Sequence, residues 1–285
     1  MTMNLGGNNR ERRASIKYHL PVLSTPDCGL FRGPGPGLGN LLFPVARAVI
    51  GREHLGGEVV IPTMRQIKVG PFLRREADKR TYGNVFRARK PSEWISWADA
   101  TYSKRRRDEG YEDCLTETVR YSGMGGYFHD LWGHHEIVSQ FLCSVSRSST
   151  DMAPYDVALH IRLGDFAAPK VGAGQVNTRV TFEWYLEALE AVRCHLGKKY
   201  LKGIVFTDAD PVFLIEKLGL KNFEPELRSS ALASMFAMAH AKVLVASQST
   251  FSLWGQYLGN SHVFWPSTFD LARYKPVDPE LDHFL

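Results

Sequence analysis

Three groups of polar residues stand where apolar runs stop. The first is His160, Arg162 and Asp165, in the stretch Asp156-Val157-Ala158-Leu159-His160-Ile161-Arg162-Leu163-Gly164-Asp165-Phe166. Val157, Leu159 and Ile161 alternate with Ala158, His160 and Arg162, so a strand over 156–162 puts His160 and Arg162 on one face. The second group is Thr207, Asp208 and Asp210, after Gly203-Ile204-Val205-Phe206. The third is Ser247, Ser249, Thr250 and Ser252, after Lys242-Val243-Leu244-Val245-Ala246. A cation, an imidazole and a carboxylate at a strand end make a poor core and a good cradle for an anion. An arginine forks onto phosphate oxygens and stays charged. A hydroxyl-rich turn that opens a helix presents N–H groups and the positive end of the dipole. A carboxylate at 208 or 210 can accept from the N1–H and exocyclic amine of guanine, a donor pair that adenine lacks.

Each group also has a plainer reading. Serine-rich turns cap helices, and Asp-x-Asp before proline starts a turn. Their conjunction is what points to a nucleotide-sugar pocket. If the three strands are parallel, their carboxyl ends meet on one edge, where open α/β sheets bind ligands.

The elements that would carry these ends have a βαβ rhythm. A glycine-bearing loop (Gly172, Gly174) follows the first strand. A helix from about Thr181, its N-cap, carries Trp184, Leu186, Leu189 and Val192. A helix with Phe213, Leu214 and Leu218 closes at Gly219, a small-residue helix spans 229–241, and a further helix carries Leu253, Trp254, Tyr257 and Leu258. Val263-Phe264-Trp265-Pro266 is a last short strand.

The first half is harder to order. Residues 1–20 read as polar and frayed. In Gly33-Pro34-Gly35-Pro36-Gly37-Leu38-Gly39-Asn40 the five near-alternating Gly and Pro positions cannot sit inside a helix or a central strand, and a helical spacing of Leu41, Leu42, Val45, Ala46, Ala48, Val49 and Ile50 follows. This is either a structural turn or an anion loop. It is not a G-x-x-x-x-G-K-[ST] loop. Val59-Val60-Ile61-Pro62 is a short strand, and a helix begins near Glu136. His129, His134 and His135 lack metal-ligand spacing and read as surface or capping residues. The serine-rich stretch 144–150 is the best linker, giving an expected division into 1–150 and 151–285.

The net charge of +5 and pI near 9.0 favour an anionic partner. The basic runs are short and carry no nucleic-acid-binding motif, so a phosphorylated substrate is expected over nucleic acid. The four cysteines form no C-x-x-C pair, which argues against zinc and for a reducing compartment. No apolar run has transmembrane length and no signal-type h-region is visible, so the expectation is a cytoplasmic protein, with peripheral attachment to the inner face of a membrane as the alternative.

Five segments, in order, resemble one family. His160-Ile161-Arg162-Leu163-Gly164-Asp165-Phe166 is similar to the H-x-R-R-G-D-Y motif of the alpha-1,2-fucosyltransferases (glycosyltransferase family 11), relatives of the alpha-1,6- and protein O-fucosyltransferases. Gly37-Leu38-Gly39-Asn40-Leu41-Leu42-Phe43 resembles G-L-G-N-Q-L-F, and Gly126-Tyr127-Phe128-His129 resembles G-Y-F-Q. Val205-Phe206-Thr207-Asp208 and Ala246-Ser247-Gln248-Ser249-Thr250-Phe251-Ser252-Leu253-Trp254-Gly255 resemble F-S-D-D and A-N-S-T-F-S-W-W-G.

The resemblance implies an α/β, GT-B-like fold, two Rossmann-like domains facing a cleft. It implies inverting, metal-independent transfer of fucose from GDP-fucose to a hydroxyl of a glycan or lipid-linked saccharide. Arg162 would contact the diphosphate and His160 would lie near the nucleoside. Asp208 or Asp210 would read guanine. Ser249, Thr250, Phe251 and Ser252 would hold the β-phosphate, and Asn40 would reach across the cleft. Asp165 is a candidate base or orienter, or a turn cap. The chain departs from the pattern at Leu163, Leu41, Pro44, Ala209 and Leu253. These departures leave two rival readings: a same-fold transferase using another GDP-sugar, and a non-catalytic nucleotide- or glycan-binding relative.

Overall fold

The computed structural model describes residues 15–73, 81–111, 116–148, 155–163, 179–227 and 230–285. Among them are two sheets, both parallel throughout. The first holds β1 (Tyr18–Val22), β2 (Glu58–Val59), β3 (Arg106–Asp108) and β4 (Thr118–Ser122) in the order β2-β1-β4-β3. The second holds β5 (Val157–Ile161), β6 (Gly203–Thr207), β7 (Phe223–Pro225), β8 (Val243–Val245), β9 (His262–Trp265) and β10 (Asp282–Phe284). Its order is β7-β6-β5-β8-β9-β10. Counted from β5 that is 3-2-1-4-5-6, the Rossmann order, with its switch point between β5 and β8. The α/β expectation of two Rossmann-like sheets holds.

The second sheet is doubly wound. Val157, Leu159 and Ile161 pack with Tyr185, Ala188, Leu189 and Val192 of α5 (Phe182–Leu196) and Leu214 of α6 (Pro211–Lys217). Ala158 packs on the other face, in the cluster of Leu232, Met235 and Phe236 from α7 (Ala231–Ala239) and Trp254 from α8 (Thr250–Gly259). Both faces of β5 are therefore covered, which is why the strand reads as nearly continuous apolar sequence. Thr181 caps α5 as expected, accepting from the Trp184 N–H. The buried stripe of α5 is shifted from the expected one: Leu186 is exposed and Tyr185 is buried.

The cluster containing α7 and α8 also takes in the first half. Leu41, Leu42, Phe43 and Val45 of α1 (Leu38–Leu55) and Val138 and Leu142 of α4 (His135–Val145) belong to it. Phe128, in a short 3-10 turn at Tyr127–His129, meets the Trp254 ring at 5.0 Å.

Residues 15–20 do not all fray. Tyr18, His19 and Leu20 are buried in β1, inside the first sheet. Pro21 is tolerated there for a geometric reason. The His19 carbonyl accepts from Val60 N–H on the β2 side. Pro21, two residues on, turns its nitrogen the same way, but β2 pairs with only Tyr18 and His19. The stretch 64–110, left unordered by periodicity, contains α2 (Gly70–Leu73), α3 (Pro91–Tyr102) and β3. The division at 150/151 and the glycines at 164, 172 and 174 lie outside the described residues.

Candidate nucleotide-sugar cleft

A cleft of about 830 Å³ opens between the two halves. Arg65, Tyr82 and Arg147 line it from the first half, and His160, Arg162, Asp208, Glu226, Ser234 and Phe251 from the second. It lies at the carboxyl ends of β5, β6 and β7, beside the switch point.

Arg162 leaves the end of β5 and meets Asp208, which leaves the end of β6, with Nε to Oδ2 at 3.1 Å. Asp208 Oδ1 also accepts from the Leu163 N–H at 2.9 Å. The carboxylate thus aims the guanidinium and pins the chain just past the strand. About a fifth of each side chain stays open, 22% for Arg162 and 21% for Asp208, so both reach the cleft. Asp210 does a different job. It caps α6, accepting from the N–H groups of Val212 and Phe213. Of the two candidate acids, Asp208 is the one on the cleft.

His160 is buried in a hydroxyl cage, with only an edge on the cleft. Its Nδ1 lies 2.6 Å from Ser252 Oγ and 3.0 Å from Ser247 Oγ, and the two hydroxyls are 3.2 Å apart. Its ring sits 5.3 Å from that of Phe251. Burial, helped by the charge of Arg162, pushes the imidazole pKa down to about 3. At neutral pH the ring is uncharged. It positions the turn between β8 and α8 and adds no positive charge to the cleft. Ser252 is wholly buried, so its hydroxyl holds His160 instead of facing solvent. Ser249 caps α8, accepting from the Ser252 N–H.

The glycine-rich loop meets this turn directly. A Cβ on Gly39 would stand 2.7 Å from Thr250 Oγ1, so only glycine lets α1 and α8 approach this closely. Trp254 Nε1 donates to the Gly39 carbonyl at 2.6 Å. The start of α1 is also tied down, since Leu38 N–H donates to Tyr82 Oη. Asn40 follows, and its buried Oδ1 has no hydrogen-bond partner among the described residues. Pro44 lies four residues on, inside the helix, and cannot donate to the Asn40 carbonyl. The Asn40 carbonyl thus lacks its usual i+4 donor and its Oδ1 has no hydrogen-bond partner among the described residues, one residue on from the Gly39–Thr250 contact.

His160, Arg162, Asp208 and Phe251 line the cleft, while Ser249 and Ser252 belong to the hydroxyl cage beside it and Thr250 and Asn40 to the contact of α8 with α1. The structure takes Asp210 away to a cap, and Asp165 lies outside the described residues. Leu163 packs with the cluster around Ile161, on the core side of the strand end. Periodicity missed Arg65, Arg147 and Glu226. Glu226 follows a three-residue strand containing Pro225, too short to show alternation.

His129, His134 and His135 behave as surface residues: His129 bonds to the Ala272 carbonyl and His134 precedes α4. Cys28, Cys143 and Cys194 are free, exposed thiols. Among the described residues no helix is long and apolar enough to cross a membrane.

No family model matches the sequence, and no curated protein matches it. Among solved structures, the chain is similar to the NodZ alpha-1,6-fucosyltransferase soaked with GDP-fucose, at 12% identity and a TM-score of 0.43, covering 85% of this chain and 92% of that one. Fucosyltransferase NodZ from Bradyrhizobium gives 12% identity and a TM-score of 0.41, over 85% and 93%. NodZ co-crystallised with GDP gives 12% and 0.40, over 85% and 92%.

Proposed function

We propose that this chain is a GDP-sugar-dependent glycosyltransferase that moves fucose from GDP-fucose to a hydroxyl of a glycan or lipid-linked saccharide, forming an alpha-1,2 linkage with inversion. The observation that carries the reading is the placement of Arg162. It is aimed by Asp208 into a cleft at the switch point, beside the His160–Ser252 cage and the start of α8. The five ordered segments of sequence resemblance supply the identity of the sugar and linkage.

In this reaction an acceptor hydroxyl attacks the anomeric carbon as the bond to the β-phosphate oxygen breaks. GDP leaves with the electron pair, and the hydroxyl proton passes to a base. Arg162 and the first-turn N–H groups at Thr250 and Phe251 stabilise the charge that grows on the leaving diphosphate. A fixed guanidinium and a helix end do the work that a divalent ion does elsewhere, which supports a metal-independent transfer. Asp208, on the cleft, is the acid for guanine. Asn40 Oδ1, across the α1–α8 contact, accepts from a hydroxyl of the donor sugar.

Incubating the protein with GDP-fucose, a chelator and a panel of glycans tests this. Fucosyl transfer or slow donor hydrolysis is the expected result, with GDP bound roughly tenfold or more weakly by Arg162→Ala. No transfer, no hydrolysis and unchanged GDP binding would end the proposal. A preference for another GDP-sugar in competition, or GDP binding without turnover, would move it to one of the two rivals.

A further inference from the structure

Three histidines from distant parts of the sequence meet at the opposite end of the second sheet from the cleft. His262 opens β9, His283 is the middle residue of β10, and His195 lies in the last turn of α5. The register sets this up. His283 pairs with Phe264, two residues on from His262 along β9, so all three point to one face. The end of α5 arrives over that face because a crossover helix runs back to the amino end of the sheet.

The three side chains form one cluster. His262 Nδ1 and His283 Nε2 are 3.3 Å apart. One ring nitrogen from each of the three lies within 4.8 Å of the other two. The rings of His195 and His262 are 4.8 Å apart, and those of His195 and His283 5.2 Å. Phe264 stacks on His283 at 4.9 Å and forms an apolar floor. The neighbouring carboxylate, Asp282, is turned inward to Gln256, Trp265 and Lys275, away from the imidazoles.

The geometry points to a divalent transition-metal site, of the zinc class, built by His195, His262 and His283. Two imidazole nitrogens on one tetrahedral zinc stand about 3.3 Å apart, given bonds of about 2.0–2.1 Å. The His262–His283 pair already has that spacing. His195 is exposed and offers a ring nitrogen within 4.8 Å of a ligand atom on each of the other two. Imidazole suits zinc, nickel and copper, and three such ligands leave a fourth position to water. The ion would clamp β10 to α5, away from the transfer chemistry and independent of it.

The test uses the full chain, stripped with chelator, and zinc or cobalt ions alone. Zinc is titrated against a chromophoric chelator, and cobalt is followed by its visible absorption. One equivalent is expected to bind, with the intense band of a four-coordinate cobalt centre. His195→Gln, His262→Gln and His283→Gln each weaken binding roughly tenfold or more. His134→Gln, which changes a histidine on another surface, leaves binding unchanged. Because His195 is exposed, its variant keeps the fold, which circular dichroism checks. Amide exchange at 282–284 slows when zinc is added. Equal zinc affinity in the His195→Gln variant, or no stoichiometric binding to the parent chain, overturns the site. GDP binding is measured alongside and is unaffected in either case.

Discussion

The Trp254 indole donates to the Gly39 carbonyl across 2.6 Å and joins α8 of one half to α1 of the other. Both groups are buried, and the bond fixes the closest approach of the two helix starts. Trp254→Phe keeps the packing and leaves that carbonyl without its donor. The expected loss is about 1–3 kcal/mol of stability, read from urea unfolding. A variant as stable as the parent would mean that the bond is incidental.

Gly39→Ala tests the same contact sterically. The added methyl lands 2.7 Å from Thr250 Oγ1 and 3.3 Å from the Thr250 backbone, so the two helices must part. A cost of about 1–3 kcal/mol and a several-fold loss of GDP affinity are expected. Adding Thr250→Ala removes the nearer clash and restores part of both. If the single variant binds GDP like the parent, the α1–α8 contact does not shape the cleft.

Arg162→Lys separates charge from shape. A lysine keeps the cation and loses the planar fork. GDP binding by calorimetry is expected to fall between those of the parent and Arg162→Ala. Equivalence of Lys and Arg would show that Asp208 does not need to aim the group.

Asp208 and Asp210 divide two jobs that their sequence leaves together. Asp210→Ala removes the cap of α6 and costs about 1 kcal/mol, with GDP-over-ADP preference intact. Asp208→Ala loosens Arg162 and abolishes that preference. Competition between GDP and ADP in the two variants reads the difference; the reverse pattern would move the guanine contact to Asp210.

His160 makes stability depend on pH. Its folded pKa is depressed to about 3, below the unfolded value of about 6.5. Above that unfolded value both states are neutral and the residue costs nothing. As pH falls from about 6.5 towards 3, only the unfolded chain takes the proton, and stability drops by up to about 1.4 kcal/mol per pH unit. Between pH 7 and 4.5 the parent is therefore expected to lose about 2–3 kcal/mol more than His160→Gln. Parallel losses in urea titrations would show that the ring is not held neutral.

The second sheet was legible because β5, β6 and β8 are apolar runs that end sharply in polar residues, and the cleft wall follows from those ends. Thr181 was readable as a cap for the same local reason, while Ser249, expected among the β-phosphate contacts, caps α8. What escaped is what depends on partners. β1 is hidden by Pro21 and His19, and only the short reach of β2 makes the proline acceptable. β7 and β10 are three-residue strands with no period to read. Whether Asp208 or Asp210 faces the cleft turns on which one α6 takes as its cap. Ser252 looked like a ligand donor because its hydroxyl's partner, His160, is distant in sequence. The three-histidine cluster has no spacing signature, since each member comes from a different element.

The apolar cluster that runs from Leu41 and Phe43 through Leu142 to Met235, Trp254 and Trp265 ignores the division between the two sheets. Its consequence is cooperativity. Two lobes with separate cores melt in two steps and survive being expressed apart. Here either lobe alone would carry the open face of a shared core into water, including Phe128, Trp254 and Tyr257. The shared cluster makes the two halves one folding unit, and a single heat-unfolding transition is the expected outcome in calorimetry.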